Sequence, residues 1–75
     1  MEAAGATVLW RLFRKGPAHT DSTRAVILPD GPPHTLAFFA NDEMDRVENY
    51  ETIDLALFRA DEIRRSLLAA DWKED

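Results

Sequence analysis

Residues 52–71 read TIDLALFRADEIRRSLLAAD, and they decide the fold class because the helical pattern runs through them without a break. Thr52 is a favourable N-cap residue, and Asp54 falls in the first turn, where a carboxylate meets the positive end of the helix dipole. From Ile53 to about Asp71 the chain contains neither glycine nor proline. Successive residues turn by about 100°, which gathers most apolar side chains on one face and predicts an amphipathic helix. The predicted stripe consists of Ile53, Ala56, Leu57, Ala60, Ile63, Leu67 and Leu68.

Upstream of this helix the chain predicts a sheet. β-branched and aromatic residues cluster in short runs that glycine, proline and polar residues interrupt. The predicted strands are residues 6–15, 24–28 and 34–40, with residues 46–51 as a fourth candidate. Residues 18–23 are predicted as a polar loop, and residues 41–45 as a connecting turn. Short connections of this kind favour an antiparallel meander.

The expected fold is therefore α+β, with an antiparallel meander sheet of three or four strands and one C-terminal amphipathic helix on one face. We expect one small domain over residues 1–75, in which residues 1–5 fray, residues 6–51 form the sheet, and residues 52–72 form the helix and a closing tryptophan. Trp72 is expected to fold back over an edge of the sheet, since a free terminal indole would leave a large apolar surface wet.

Alternation in the first strand predicts which side chains share a face. Period two places Val8, Trp10 and Leu12 on one face of the sheet and Leu9, Arg11, Phe13 and Lys15 on the other. Phe38 and Phe39 are neighbours in the third strand, so one of them is expected on the face that the helix does not cover.

The composition excludes several classes of site. The chain has 75 residues and no cysteine, which excludes a disulfide-stapled module, a thiolate metal site and a cysteine nucleophile. No glycine-rich phosphate loop is present. No apolar run approaches the ~18 residues of a membrane span, and no signal-peptide pattern is present, so we expect a cytoplasmic protein without a membrane partner.

Catalysis and metal binding find little support. His19, Asp21 and Ser22 lie in one predicted loop, but adjacency in sequence does not make a catalytic triad. His19 and Asp21, taken with Asp30 and His34, match no metal-ligand spacing. We therefore expect no enzymatic activity, no cofactor and no metal ion.

The negative charge is concentrated in the second half of the chain. The net charge is −5; residues 1–40 carry four basic and three acidic side chains, and residues 41–75 carry five basic and eleven acidic ones. Between residues 41 and 54 the acids face only Arg46. These predicted partner-binding acids are Asp42, Glu43, Asp45, Glu48, Glu51 and Asp54. Such a segment favours a basic protein partner and can imitate the phosphates of a nucleic acid, or it serves only to keep the chain soluble.

Leu55 and Phe58 fall outside the apolar stripe of the predicted helix. We therefore predict a non-enzymatic protein-interaction module, a regulator or inhibitor that occupies a basic or apolar surface of its partner through these two residues and the acidic segment. One alternative is single-stranded nucleic-acid binding through Arg11, Phe13 and Lys15, although the acidic balance argues against it. A second alternative is a structural homo-oligomer, such as a homodimer, because so small a core gains by sharing a surface.

Overall fold

The computed structural model describes residues 5–74 and contains a five-stranded antiparallel sheet with one helix across one face. The strands are β1 (Thr7–Lys15), β2 (Thr20–Ile27), β3 (His34–Ala40), β4 (Glu43–Tyr50) and β5 (Lys73–Glu74), and the helix α1 is Ile53–Ala69. Their order in the sheet is β4-β3-β2-β1-β5. The first four strands thus form a meander, and the end of the chain returns to pair with the outer edge of β1.

The predicted fold class is confirmed, with differences at the strand ends. The fourth strand is present, and β5 adds a fifth short strand that the sequence pattern did not predict. β2 begins at Thr20, so most of the predicted loop over residues 18–23 is strand. Backbone pairing with residues 12–15 of β1 extends β2 through these polar residues, since a ladder needs no apolar side chains. We predict that residues 1–5 fray; of these, residues 1–4 lie outside the described residues.

The turn between β3 and β4 is shorter than predicted because two residues close it. Asn41 and Asp42 have φ of 50° and 69°, in the left-handed region that two-residue hairpins require and that Asn and Asp tolerate best after glycine. β4 therefore begins at Glu43, directly opposite Ala40. Asn41 also ties the turn to β2, because its side-chain oxygen accepts a hydrogen bond from the Ser22 amide at 2.9 Å.

A β-bulge corrects the predicted faces of β1. Val8 pairs with Val26 and Trp10 pairs with Ala25, and these two partners are adjacent in β2. Leu9 is therefore an extra residue of β1 that has no partner of its own in β2. The bulge moves Val8 to the face without the helix and lets Leu9 pack beside the core. From Trp10 onward the alternation is as predicted, since no further irregularity occurs in the register.

The core lies between α1 and one face of the sheet. Its buried residues are Trp10, Leu12, Ala25, Ile27, Leu36, Phe38, Ala56 and Ala60. Alanines on the inner side of α1 let the helix approach the sheet, and the Trp10 indole N–H donates to the carbonyl oxygen of Ala60 at 3.0 Å. Ile63, Leu67 and Leu68 pack against this core.

The first turns of α1 are less well covered than the stripe predicted. Ile53 remains 39% exposed and Leu57 42% exposed, because the sheet meets the helix mainly through its alanines and its later turns. The start of the helix is otherwise as predicted: the Thr52 hydroxyl accepts a hydrogen bond from the Leu55 amide at 3.3 Å.

The two phenylalanines of β3 face opposite ways, as predicted. Phe38 is a core residue, and Phe39 lies half-buried on the helix-free face beneath the Arg24 guanidinium, whose carbon is 4.1 Å from the ring centroid. Trp72 packs against the edge of the core, and the Arg14 guanidinium lies 4.8 Å from its ring. No helix formed by residues 5–74 has the length and apolar character needed to cross a bilayer.

Candidate interaction surfaces

The first turns of α1 expose four large apolar side chains. Phe58 is 67% exposed and Leu55 53% exposed; Ile53 and Leu57 are also partly uncovered, but they lie on the side of the helix that carries Ala56 and Ala60. We call Leu55 and Phe58 the helix-start surface. Leu55 and Phe58 are three residues apart, which makes them neighbours on the side of the helix turned away from Ala56 and Ala60. The structure thus places both residues predicted from the sequence on one side of the helix, whereas Ile53 and Leu57 stay on the apolar stripe and are incompletely covered there.

The helix-start surface lies on a rigid element. The Thr52 cap satisfies the Leu55 amide, and Asp54 lies in the first turn, where its charge favours the helix. A shallow cavity of about 270 Å³ adjoins Leu57 and is lined by Leu9, Trp10, Leu57, Ala60, Asp61 and Arg64. Because the helix holds Leu55 and Phe58 in fixed relative positions, little conformational entropy is lost when a partner covers them.

The six predicted acids do not form one patch. Asp42 lies in the β3–β4 turn and Glu43 and Asp45 lie in the first three residues of β4, whereas Glu51 and Asp54 lie at the start of α1. Asp45 and Glu51 are six residues apart along the strand direction, which corresponds to about 20 Å at ~3.3 Å per residue. Asp42 is already paired with Arg24, whose Nη1 lies 2.8 Å from its Oδ1. The acids that accompany the helix-start surface are therefore Glu51 and Asp54.

Glu48 is committed to contacts within the fold. The Tyr50 hydroxyl donates to Glu48 Oε1 at 2.6 Å, and the Arg59 Nε donates to the same oxygen at 3.2 Å. Arg46 Nε lies 3.2 Å from Glu48 Oε2. The hydrogen bond from Tyr50, followed by that from Arg59, holds the pKa of Glu48 below its ordinary value, and the same carboxylate raises the pKa of Tyr50. Glu48 thus joins β4 to α1 and is poorly placed to meet a partner.

The basic and aromatic residues predicted in β1 do share a face. Arg11, Phe13 and Lys15 alternate along the strand opposite Arg24, Ser22 and Thr20, on the side of the sheet without the helix. Lys73, which the sequence pattern did not predict at this face, lies directly opposite Phe13 through the pairing of β5 with β1. A two-residue strand has no periodicity of its own, so no sequence signal could have identified this neighbour.

The titratable residues considered for chemistry do not converge. His19 Nε2 lies 3.0 Å from Asp21 Oδ1, and hydrogen bonds from Asn41 first and then from His19 lower the pKa of Asp21. Ser22 alternates to the other face of β2, and His34 begins β3 at the opposite end of the sheet. Residues 5–74 contain no group of three or more His, Cys, Asp or Glu side chains that could hold a metal ion.

Comparisons with protein-family models, with curated proteins and with solved structures found no match to the chain. The fold and its surfaces define the class: a small α+β domain whose helix exposes an apolar start.

Proposed function

We propose that the protein is a non-enzymatic interaction module that occupies a partner protein through its helix-start surface and so regulates or inhibits that partner. The observation that carries this proposal is the exposure of Phe58, 67%, beside Leu55 at 53% in a chain of 75 residues. The mechanism is occupancy rather than turnover. The cytoplasmic location and the absence of enzymatic activity stay predictions from the sequence.

Burying Leu55 and Phe58 against a partner would contribute enough free energy for these two side chains to anchor the complex. Fully burying a phenylalanine or leucine side chain contributes about 1.5–3 kcal/mol each, and aromatic side chains are frequent hot spots. Leu55 and Phe58 have the i, i+3 spacing with which a helix lies in an apolar groove. Two anchors alone give modest affinity, so the partner must also contact the surrounding polar surface.

The charges beside the anchors indicate the chemistry of the partner. Glu51 and Asp54 are exposed next to Leu55 and form no ion pair with any residue from 5 to 74. Glu62, one turn after Phe58, adds a carboxylate that is 52% exposed. An apolar pocket with a basic rim would complement this arrangement. Carboxylates around an apolar centre would also favour fast, salt-sensitive association.

Imitation of a nucleic acid by the acidic segment has weaker support. Asp42 and Glu48 are engaged by arginines of the same chain, and the remaining acids are divided between the two ends of β4. A mimic needs a regular row of free carboxylates. The apolar helix-start surface, with Glu51 and Asp54 as its rim, is therefore the better-supported docking element.

Affinity capture from the native host tests the proposal. The unaltered chain should capture a protein that the Phe58→Asp variant does not capture, because an unpaired carboxylate is too costly to bury in an apolar pocket. Ser66→Asp is the matched control, since it adds the same charge to an exposed position of the same helix. Phe58 is largely exposed, so its substitution should change the free energy of unfolding by less than about 1 kcal/mol.

Equal capture by the unaltered chain and Phe58→Asp would overturn the proposal. Gel filtration of the purified chain should show a monomer at all concentrations. A dimer that dissociates on Phe58→Asp would assign the helix-start surface to self-association and would also overturn it.

A further inference from the structure

Three cations of this acidic protein have no charged or aromatic partner among residues 5–74. The chain has nine basic side chains, and carboxylates or aromatic rings within residues 5–74 engage six of them. Those six are Arg14, Arg24, Arg46, Arg59, Arg64 and Arg65. Arg11, Lys15 and Lys73 remain. Unpaired cations are unexpected where acids outnumber bases, since each could have been paired within the fold.

The three cations surround one aromatic ring. Arg11 and Lys15 lie two residues before and after Phe13 on the helix-free face of β1, and Lys73 is the cross-strand partner of Phe13. Directly opposite residues in an antiparallel pair have Cβ atoms about 4.5–5.5 Å apart. Arg11 and Lys15 are separated along the strand by about 13 Å. Phe13 itself is half-buried, so its ring is held in place but still reachable.

A shallow cavity adjoins this cluster. It has a volume of about 610 Å³ and is lined by Phe13, Arg14, Lys15, Thr20, Asp71 and Lys73. The volume lies in the range of about 300–1,000 Å³ that small-molecule sites occupy. Its cations outnumber its one carboxylate, Asp71, so a bound anion is favoured over a cation.

We propose that this helix-free face binds single-stranded nucleic acid, with a base stacked on Phe13 and phosphates paired with Arg11, Lys15 and Lys73. A polyanion with planar groups complements a ring surrounded by cations, and this is the combination that single-strand binders use. The base must be unstacked to reach Phe13, so a single strand is favoured over a duplex. Phe39 lies on the same face of the sheet, two strands away from Phe13, and its ring is covered by the Arg24 guanidinium.

The acidity of the rest of the molecule shapes this binding. The second half of the chain carries most of the negative charge and would repel a strand that strayed from the cationic face. Binding is therefore confined to a short segment and is weak and steeply salt-dependent. The site is separate from the helix-start surface, since α1 lies on the other face of the sheet. The two proposals can consequently fail independently.

Fluorescence anisotropy with a labelled oligothymidine of about twelve nucleotides tests the proposal. Arg11→Gln and Lys15→Gln should each weaken binding at least about threefold and lower the salt slope by about one. Arg65→Gln is the matched control, because it removes the same charge from a side chain that is 77% exposed on α1. Phe13→Leu should weaken binding by about five-fold or more through lost stacking.

Circular dichroism checks that Phe13→Leu still folds, and the two exposed Gln variants keep the test decisive if it does not. An equal loss on Arg65→Gln would overturn the proposal, as would the absence of binding at low salt. Two further results would overturn the single-strand assignment: tighter binding of the matching duplex than of the single strand, or heparin binding as tight as that of the oligothymidine and unchanged by Phe13→Leu.

Discussion

Glu48 belongs to the acidic stretch of the sequence, but contacts within the fold keep its carboxylate from forming part of an acidic surface. Tyr50, Arg46 and Arg59 surround it, and its side chain is only 21% exposed. Arg24 and Asp42 form an ion pair on the other face of the sheet, in which Arg24 is buried and Asp42 remains 88% exposed. Ion pairs that cross between strands, or from strand to helix, depend on register, so charge counts along the chain do not reveal them.

Glu48→Gln should lower the free energy of unfolding at pH 7 by about 1–2 kcal/mol, because a charged acceptor for Tyr50 and Arg59 becomes neutral. The pKa of Glu48 is lowered in the folded state. Its contribution is therefore complete above the ordinary Glu pKa of about 4.3 and is lost as pH falls through the lowered folded value. Urea unfolding should therefore show that the difference in free energy of unfolding between the unaltered protein and Glu48→Gln becomes smaller as the pH is lowered toward about 3.

Glu62→Gln is the control for this experiment, since its carboxylate is 52% exposed and Arg59 is its only ion-pair partner among residues 5–74. It should change stability little at any pH. A gap for Glu48→Gln that stays constant between neutral and acidic pH would contradict the role assigned to the Glu48 charge.

The helix and its ending form the element that organises the sheet. α1 stops at Ala69, and Asp71 then adopts a φ of 72° while the Trp72 amide bonds back to the Leu67 carbonyl at 3.1 Å. This closure turns the chain so that Lys73 and Glu74 pair with β1, and Arg64 holds Glu74 through two hydrogen bonds of 2.8 and 2.7 Å. The left-handed residue is an aspartate where helices commonly use glycine.

Asp71→Gly should therefore stabilise the protein by about 0.5–1 kcal/mol, because glycine adopts a positive φ without steric cost. Thermal unfolding should show a rise in Tm of roughly 2–8 °C for a domain of this size. Asp71→Ala separates backbone from charge, since it removes the carboxylate but keeps a Cβ. A Tm for Asp71→Gly no higher than that of Asp71→Ala would show that φ at this position carries no strain.

Particular elements show what sequence reasoning could and could not predict. β3 and the start of α1 match residue for residue, because a proline turn precedes one and Thr52 caps the other. The start of β2 was missed since its residues are polar, and the bulge at Leu9 moved Val8 to the other face without any warning in the alternation. Lys73 joined a candidate site only through β5, a contact 60 residues from Phe13 in sequence.

At the scale of the whole molecule, one small core leaves two exposed surfaces on opposite sides of the sheet. The helix side carries apolar anchors with a carboxylate rim, and the bare side of the sheet carries Phe13 among cations. A chain of this length buries only about 60% of its unfolded surface, so the core cannot absorb every large apolar side chain. Of the two, the helix-start surface is the one that we propose as the docking site for a protein partner.

Photo-crosslinking in the native host tests that claim most directly. The probe is p-benzoylphenylalanine in place of Phe58, with the same probe in place of Ser66 as the matched position on α1. We predict one dominant adduct to another protein from position 58, lost on Leu55→Asp and absent from position 66. No adduct from position 58, the same adducts from both positions, or an adduct joining two copies of this chain would contradict it.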